Sequence, residues 1–375
     1  MSTTALKCWR RTLLATAAIA TMAAAADLRL QASSGAQTVR QHWDGAASGT
    51  AAAGPAAAHG AAPPMHPSGG AAGLPYVIRY GNLHSQTNHS DGGGTLGHCS
   101  GAQDPQSAAL GPADAYDYAR RHGLDFLMTS EHNHMYDVSD GTNASADPAA
   151  AHRQMRARGW IGQFNHPAED QFAVDGQALA YTADGDQVMV LCEVMNSNAF
   201  SQAVDESETR HSNFEAACNK LLSAGYHLAF SSDQDNHCAN WGASYSNRTG
   251  ILLPPDAPFT QAALLDAQRA RRVFATMDKN AYVVLRANGH LMGARFHNHG
   301  PLPLQVDYAS SSGHHLDAIA ILHAIPGAGG EFGAIAHATT SELQSAAGEH
   351  VYYARLVQDD GKLPWSAQVW ITQAP

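Results

Sequence analysis

One pattern recurs along the middle of this 375-residue chain and limits what it can fold into. A short apolar run is followed by a loop dense in His, Asp, Glu and Asn, and then by a helical stretch. Residues 77–83 lead to His84, and residues 124–128 to Glu131, His132, Asn133 and His134. Residues 160–164 lead to Asn165-His166-Pro167, residues 188–192 to Glu193, and residues 227–230 to Ser231 through His237. Amphipathic helix candidates lie between them at 112–122, 213–224 and 260–272, the first opened by Pro112 and stopped by Gly123. Alternating strands and helices predict a parallel sheet. Polar residues at the ends of five strands predict a β/α barrel with its chemistry at one mouth. An open doubly wound sheet also places ligands at strand ends, but five ends converge on one site more readily in a barrel.

The pattern changes near Asn280. Residues 282–287, 302–308, 316–323, 350–357 and 366–371 read as strands, with turns at Asn288-Gly289 and Asp359-Asp360-Gly361. Residues 281–375 are therefore expected to form a small antiparallel β-sandwich after a catalytic unit at 75–280.

The N-terminus reads as an export signal over residues 1–26. Lys7, Arg10 and Arg11 form a basic region, an apolar stretch follows, and Ala24-Ala25-Ala26 offers a cleavage site. Arg10-Arg11 before Thr12-Leu13-Leu14 fits a twin-arginine signal, a route for proteins exported already folded. Residues 27–74, rich in Ala, Gly and Pro, read as a disordered linker. The expected location is periplasmic or secreted, with no membrane span after cleavage. Loss of Cys8 leaves four cysteines. Cys99 and Cys238 each follow a histidine in a site loop and are the expected disulfide pair, while Cys192 and Cys218 are expected to be buried thiols.

A formal charge of −11 argues against sequence-independent nucleic-acid binding. The 22 histidines equal all Lys and Arg together, and histidine is the commonest side-chain metal ligand. The first loop offers His84, Gln86, His89 and Asp91 before a Gly92-Gly93-Gly94 exit that permits a tight turn. Glu193 ends an apolar strand, where a carboxylate is costly unless paired or metal-bound. Asp235 and His237 are two apart, a spacing that sends both side chains the same way, with Asp233 as the alternative carboxylate. A mixed His/carboxylate set suits Zn, Mn or Fe. Two or three divalent ions, bridged by Glu193, would employ all these groups.

Taken in order, His84 to Gly92, Thr129 to Asn133, Asn165-His166-Pro167, Glu193 and Asp235 to His237 resemble the motifs of the PHP (polymerase and histidinol phosphatase) superfamily. Residues 270–276 with Asn288-Gly289, and residues 352–356, look like its exported carbaryl-esterase-like (CehA/McbA) branch. The resemblance covers residues 76–290. It implies a distorted (β/α)7 TIM-like barrel and a di- or trinuclear centre held by His84, Asp91, His132, His166, Glu193, Asp235 and His237. Gln86 stands where that family usually has a second histidine, which implies a weakened or altered metal position. His89, His98 and His134 are the substitutes within reach.

These readings predict a metal-dependent hydrolase in which ion-activated water attacks an ester, most simply a phosphate ester. His134, Asn196 and Asp233 are the candidate catalytic groups, and Arg210, Asn240 and Arg248 the candidate substrate-binding groups. The partner is a small-molecule, phosphorylated ester. Hydrolysis of a carboxylic or carbamate ester by the same centre is the alternative. A third reading is a catalytically impaired binding protein, motivated by Gln86. No Gly-x-Ser-x-Gly elbow is present to favour a serine hydrolase.

Overall fold

A computed structural model of the protein describes residues 19–22, 74–104, 107–132, 148–168 and 172–375. The expected signal segment apart from the backbone of Ile19–Met22, the linker up to residue 73, and His134 lie outside the described residues.

The described strands, in chain order, are β1 (Ile19–Met22), β2 (Val77–Asn82), β3 (Phe126–Leu127), β4 (Ile161–Phe164), β5 (Met189–Ser197), β6 (His211–Asn213), β7 (Ala229–Asp233), β8 (Arg248–Leu253) and β9 (Val273–Thr276). They continue as β10 (Ala281–Ala287), β11 (His290–Leu291), β12 (Arg295–Asn298), β13 (Leu302–Ser310), β14 (Leu316–Ala324) and β15 (Gly333–Ala336). The last are β16 (Thr340–Leu343), β17 (Gly348–Gln358), β18 (Pro364–Trp365) and β19 (Val369–Gln373). Five short helices complete the described chain: α1 (Pro112–Arg121), α2 (Pro148–Arg158), α3 (Ala183–Val188), α4 (Glu215–Ala224) and α5 (Gln261–Arg269).

Local chemistry accounts for the helices. Pro112 opens α1, the Asp114 carboxylate accepts from the Gly111 N–H, and Arg120 and Arg121 sit at its negative end. Ala115 and Ala119, four apart, form its buried stripe. Gly225 ends α4 in the left-handed conformation with φ 114°. Thr260 caps α5 by accepting from the Ala263 N–H.

The strands form sheets of five, four and ten members rather than a ring of parallel strands. Only β2·β3, β4·β5, β5·β7 and β12·β19 run parallel, and every other described ladder is antiparallel. The expected β/α barrel, TIM-like and of the PHP type, is thus corrected to a mainly antiparallel, multi-sheet β architecture. The strand that decides this is β8, which pairs antiparallel with both β2 and β9. Its direction depends on how the chain returns across the sheet, and a run such as Arg-Thr-Gly-Ile-Leu-Leu reads the same in either direction.

The smaller parallel unit positions the site. All nine residues of β5 are buried, because β4 and β7 flank it. Glu193 and Asn196 lie on β5, and Asp233 ends β7. Strands β10, β11, β13 and β16 form the four-stranded sheet, whereas β12, β14, β15, β17, β18 and β19 share the ten-stranded sheet with β2, β3, β8 and β9, Trp365 of β18 pairing with Ala275 of β9. One apolar core likewise combines Leu191 and Ile251 with Val283 and Ile371. His227 strengthens the junction, its Nδ1 2.8 Å from Asp186 and its Nε2 3.4 Å from Glu349.

Candidate metal centre

The first loop is shaped by its turn and its anchor. Gly93 has φ +76°, and a Cβ there would lie 2.1 Å from the Leu110 carbonyl oxygen, so only glycine lets the chain double back past Asp91. The Glu131 carboxylate receives the Thr87 N–H at 3.0 Å and the hydroxyls of Thr87 and Ser90 at 2.5 Å each. This fastens the Asp91 loop to the segment bearing His132. Sequence reading passed over Glu131 as a group with this role, although its place beside His132 was the available signal.

Two groups of ligand atoms result. His84, His166 and Asp235 form one, and Asp91, His132 and His237 the other, with the atoms of each group within 4.8 Å of one another. In the first, His84 Nε2 lies 2.9 Å from Asp235 Oδ1. Both atoms are buried, and beyond this contact with each other neither has a hydrogen-bond partner. Two ligand-type atoms that meet only each other in a buried site fit either a shared proton or, once that proton leaves, a shared cation. In the second, His132 Nδ1 is 2.8 Å and His237 Nε2 3.6 Å from Asp91 Oδ1. The groups adjoin through Asp235 Oδ1 and His237 Nδ1, 3.6 Å apart. His166 and Asp235 hold φ of 31° and 50°, sparsely populated for non-glycine residues, and such strain costs about 1–3 kcal/mol.

Glu193 differs from its expected bridging role. Its Oε1 is 3.1 Å from His84 Nδ1, and its Oε2 accepts the His166 N–H at 2.5 Å. It therefore orients the first group from behind, as carboxylates do for metal-bound histidines. Phe200 packs on the His237 ring, centroids 4.8 Å apart.

The remaining expected residues divide by what holds them. Asp233 is fully buried: Oδ1 accepts from the Leu83 N–H at 2.7 Å and Thr249 Oγ1 at 3.1 Å, and Oδ2 from Gln163 at 3.0 Å. Its oxygens are committed to β-strand neighbours. Gln86 is buried, its amide set between Ser130 and Ser90 at 3.5 and 3.4 Å. His89 and His98 are exposed. Asn196 is buried with Oδ1 lacking a hydrogen-bond partner. Arg248 is buried and gives its guanidinium to the carbonyls of Tyr245, Asn247 and Gly242 and to Glu206. Asn240 donates to the Ser201 and Ala203 carbonyls at 2.7 Å each. Arg210 projects outward, clasping Glu208. These three serve loop structure, a role invisible in the sequence because their partners are mostly backbone carbonyls.

Both cysteine pairs are disulfides. Cys99–Cys238 was expected, but Cys192–Cys218 corrects the expectation of buried thiols. A strand and a helix 26 residues apart meet with Cα atoms at 5.9 Å, a proximity created only by packing.

Electrostatics follow from burial and pairing. Burial opposes charge on His84, but Asp235 and then Glu193 outweigh it and hold the imidazole well above its ordinary range. Burial likewise opposes charge on Asp235, yet His84 and His237 hold its carboxyl far below the usual range. Burial, then the charge on His84, pushes His166 down. A cation entering the first group must expel the His84 proton. Zn²⁺ affinity is therefore expected to rise with pH, with proton release on binding. Calorimetry in buffers of different ionisation enthalpy checks the release, and a flat affinity from pH 6 to 9 contradicts it.

Burial, and then the charge on Glu193, pushes Asp233 up to about 6. A raised acid binds its proton more tightly folded than unfolded. Its contribution to stability thus falls as pH rises from about 4 to about 6. Asp233→Ala strands three buried donors and is expected to cost at least about 3 kcal/mol in urea denaturation at pH 7. Asp233→Asn is expected to leave any metal content unchanged, because the carboxylate faces Leu83, Thr249 and Gln163 rather than the histidines.

No protein-family model matches the chain, and no curated protein matches it. Among solved structures it is similar to fibronectin(III)-like modules of CbhA from Clostridium thermocellum, at 15% identity over 24% of this chain and 93% of that one, with TM-score 0.18. It is also similar to an engineered protein solved by crystallography, at 14% identity over 49% of this chain and 41% of that one, with TM-score 0.19. Neither likeness bears on the site.

Proposed function

We propose that this protein is an exported metal-dependent hydrolase acting on phosphate esters, with two adjacent divalent cations as its cofactor. The observation that carries the reading is the buried contact of His84 Nε2 with Asp235 Oδ1, two ligand-type atoms with no other hydrogen-bond partner, beside a second His/carboxylate group. The reading rests on these ligand groups and not on a barrel. The donor set of imidazoles and carboxylates suits zinc, manganese or iron. When bound, such ions lower the pKa of water to about 7 and neutralise charge on a phosphoryl oxygen.

The chain's own residues supply position and access. Glu193 fixes the ring orientation of His84 and the backbone of His166. Glu131 fixes the loop that presents Asp91. His132 and His166 are the partly exposed members of the two groups, so substrate approaches from their side. Asn196, with its free Oδ1, is the candidate to accept a proton-bearing group of substrate or water. The two disulfides suit an oxidising, extracytoplasmic compartment.

The test is elemental analysis of the purified chain, followed by assays of phosphate mono- and diesters beside aryl esters and carbamates, before and after chelation and reconstitution. Two ions per chain with metal-dependent phosphoesterase turnover is the expected result. Turnover of carbon esters alone transfers the assignment to that class. Fewer than two ions and no turnover after reconstitution overturns it.

A further inference from the structure

We propose that a second ligand site, for a small organic anion with an apolar body such as an aryl carboxylate, lies at the amino ends of β4 and β5. A cavity of about 280 Å³ opens there. His166 follows the carboxyl end of β4, and Glu193 lies further along β5, so this site and the metal centre share strands but no residue. The proposal stands apart from the hydrolase reading.

The cavity combines two kinds of surface. Buried Trp160, Ile161 and Val190 give it an apolar floor. Arg156, Arg269 and Arg271 stand around it. Three cations on one cavity are unusual in a chain of formal charge −11 with 22 Lys and Arg among 375 residues. Apolar walls with a few convergent polar groups are how small-molecule sites are built. The walls are tied together: Arg269 Nη2 donates to the Gly159 carbonyl at 3.2 Å, fixing the end of α5 to the turn before β4.

Arg271 sets the charge of the ligand. Arg156 and Arg269 already have carboxylate partners, Asp184 at 2.5 Å and Asp266 at 3.3 Å. Arg271 instead gives its Nε to the His227 carbonyl at 2.8 Å and its Nη1 to the Arg269 carbonyl at 2.6 Å, both neutral acceptors. The charge of Asp186 reaches it, but that carboxylate is engaged by the His227 N–H and ring. A partly buried guanidinium bonded to carbonyls alone keeps a charge that an anion would compensate. Its fork matches a carboxylate. The backbone agrees: Arg271 holds φ 52° just after α5, a position where glycine is the usual occupant. Arginine there accepts strain that glycine would avoid, and the side chain it brings lines the cavity. The apolar floor favours an anion that carries an apolar body over a fully hydrated inorganic one.

Titration of the ¹⁵N-labelled full chain with benzoate, followed by amide chemical shifts, tests the site. Saturable shifts are expected at Trp160, Ile161 and Val190, away from the metal centre. Arg271→Met is expected to weaken benzoate at least about tenfold, the worth of one charge-assisted hydrogen bond. Gln187→Trp, at an exposed residue of the cavity wall, is expected to weaken it as much by filling the mouth. It decides the matter alone if Arg271→Met does not fold. Benzamide and inorganic phosphate are expected to bind at least tenfold more weakly than benzoate. Benzamide binding as tightly would remove the need for charge, and phosphate binding as tightly the need for an apolar body. Either result overturns the proposal, as does benzoate binding unchanged in Gln187→Trp.

Discussion

Asp235→Asn is expected to leave fewer than one tightly bound zinc per chain and to lower phosphodiester turnover by at least about a hundredfold. Asp235 Oδ1 is 2.9 Å from His84 Nε2 and 3.6 Å from His237 Nδ1, so this one oxygen serves both ligand groups. An amide keeps the shape but removes the charge, and one of its two atoms becomes a donor. The variant is compared with Asp233→Asn, whose native carboxylate is bonded to Leu83, Thr249 and Gln163 instead. Metal content read by elemental analysis, with circular dichroism as the folding check, separates the two aspartates. Two ions and full turnover in the Asp235 variant would show that the cluster is not a cation centre.

The second large effect concerns Cys99–Cys238. This disulfide closes a loop with a sequence separation of 139. Chain-entropy arguments value such a closure at about 5 kcal/mol, and native disulfides typically at about 2–5 kcal/mol. Replacing both cysteines with serine is therefore expected to lower the unfolding free energy by about 3–5 kcal/mol in guanidinium denaturation. Metal loss should accompany it. Cys238 follows His237, and Gly94 bridges to Cys238 through its N–H to the His237 carbonyl and its own carbonyl to the Ala239 N–H. The disulfide thus clamps the loop of Asp91 to the loop of His237, two ligands of the second group. The same exchange at Cys192 and Cys218, with a separation of only 26, is expected to cost less by that measure. Unchanged denaturation and unchanged metal content in the first variant would contradict the clamp.

Much of the site was legible because ligand chemistry is local. His84, Asp91, His132, His166 and His237 stand out as histidines and carboxylates directly after apolar runs, and the structure brings them together with Asp235. Helix boundaries were legible for the same reason: Pro112, Thr260 and Gly225 act through the turn they occupy. What failed was long-range. Arg248 and Asn240 looked like free donors, yet both are consumed by carbonyls of their own loops. Glu193 looked like a bridge, yet stands behind the His84 ring.

The sequence by itself determined which residue types end the strands, where helices start and stop, and which runs are apolar enough to be buried. Only the tertiary structure decided that β8 lies antiparallel between β2 and β9, that Cys192 meets Cys218, and that Asp235 rather than Asp233 faces the histidines. Side-chain periodicity and capping are properties of neighbouring residues. Strand direction, disulfide partners and the aim of a buried carboxylate depend on contacts between segments far apart in the chain, which form only once the sheets have packed.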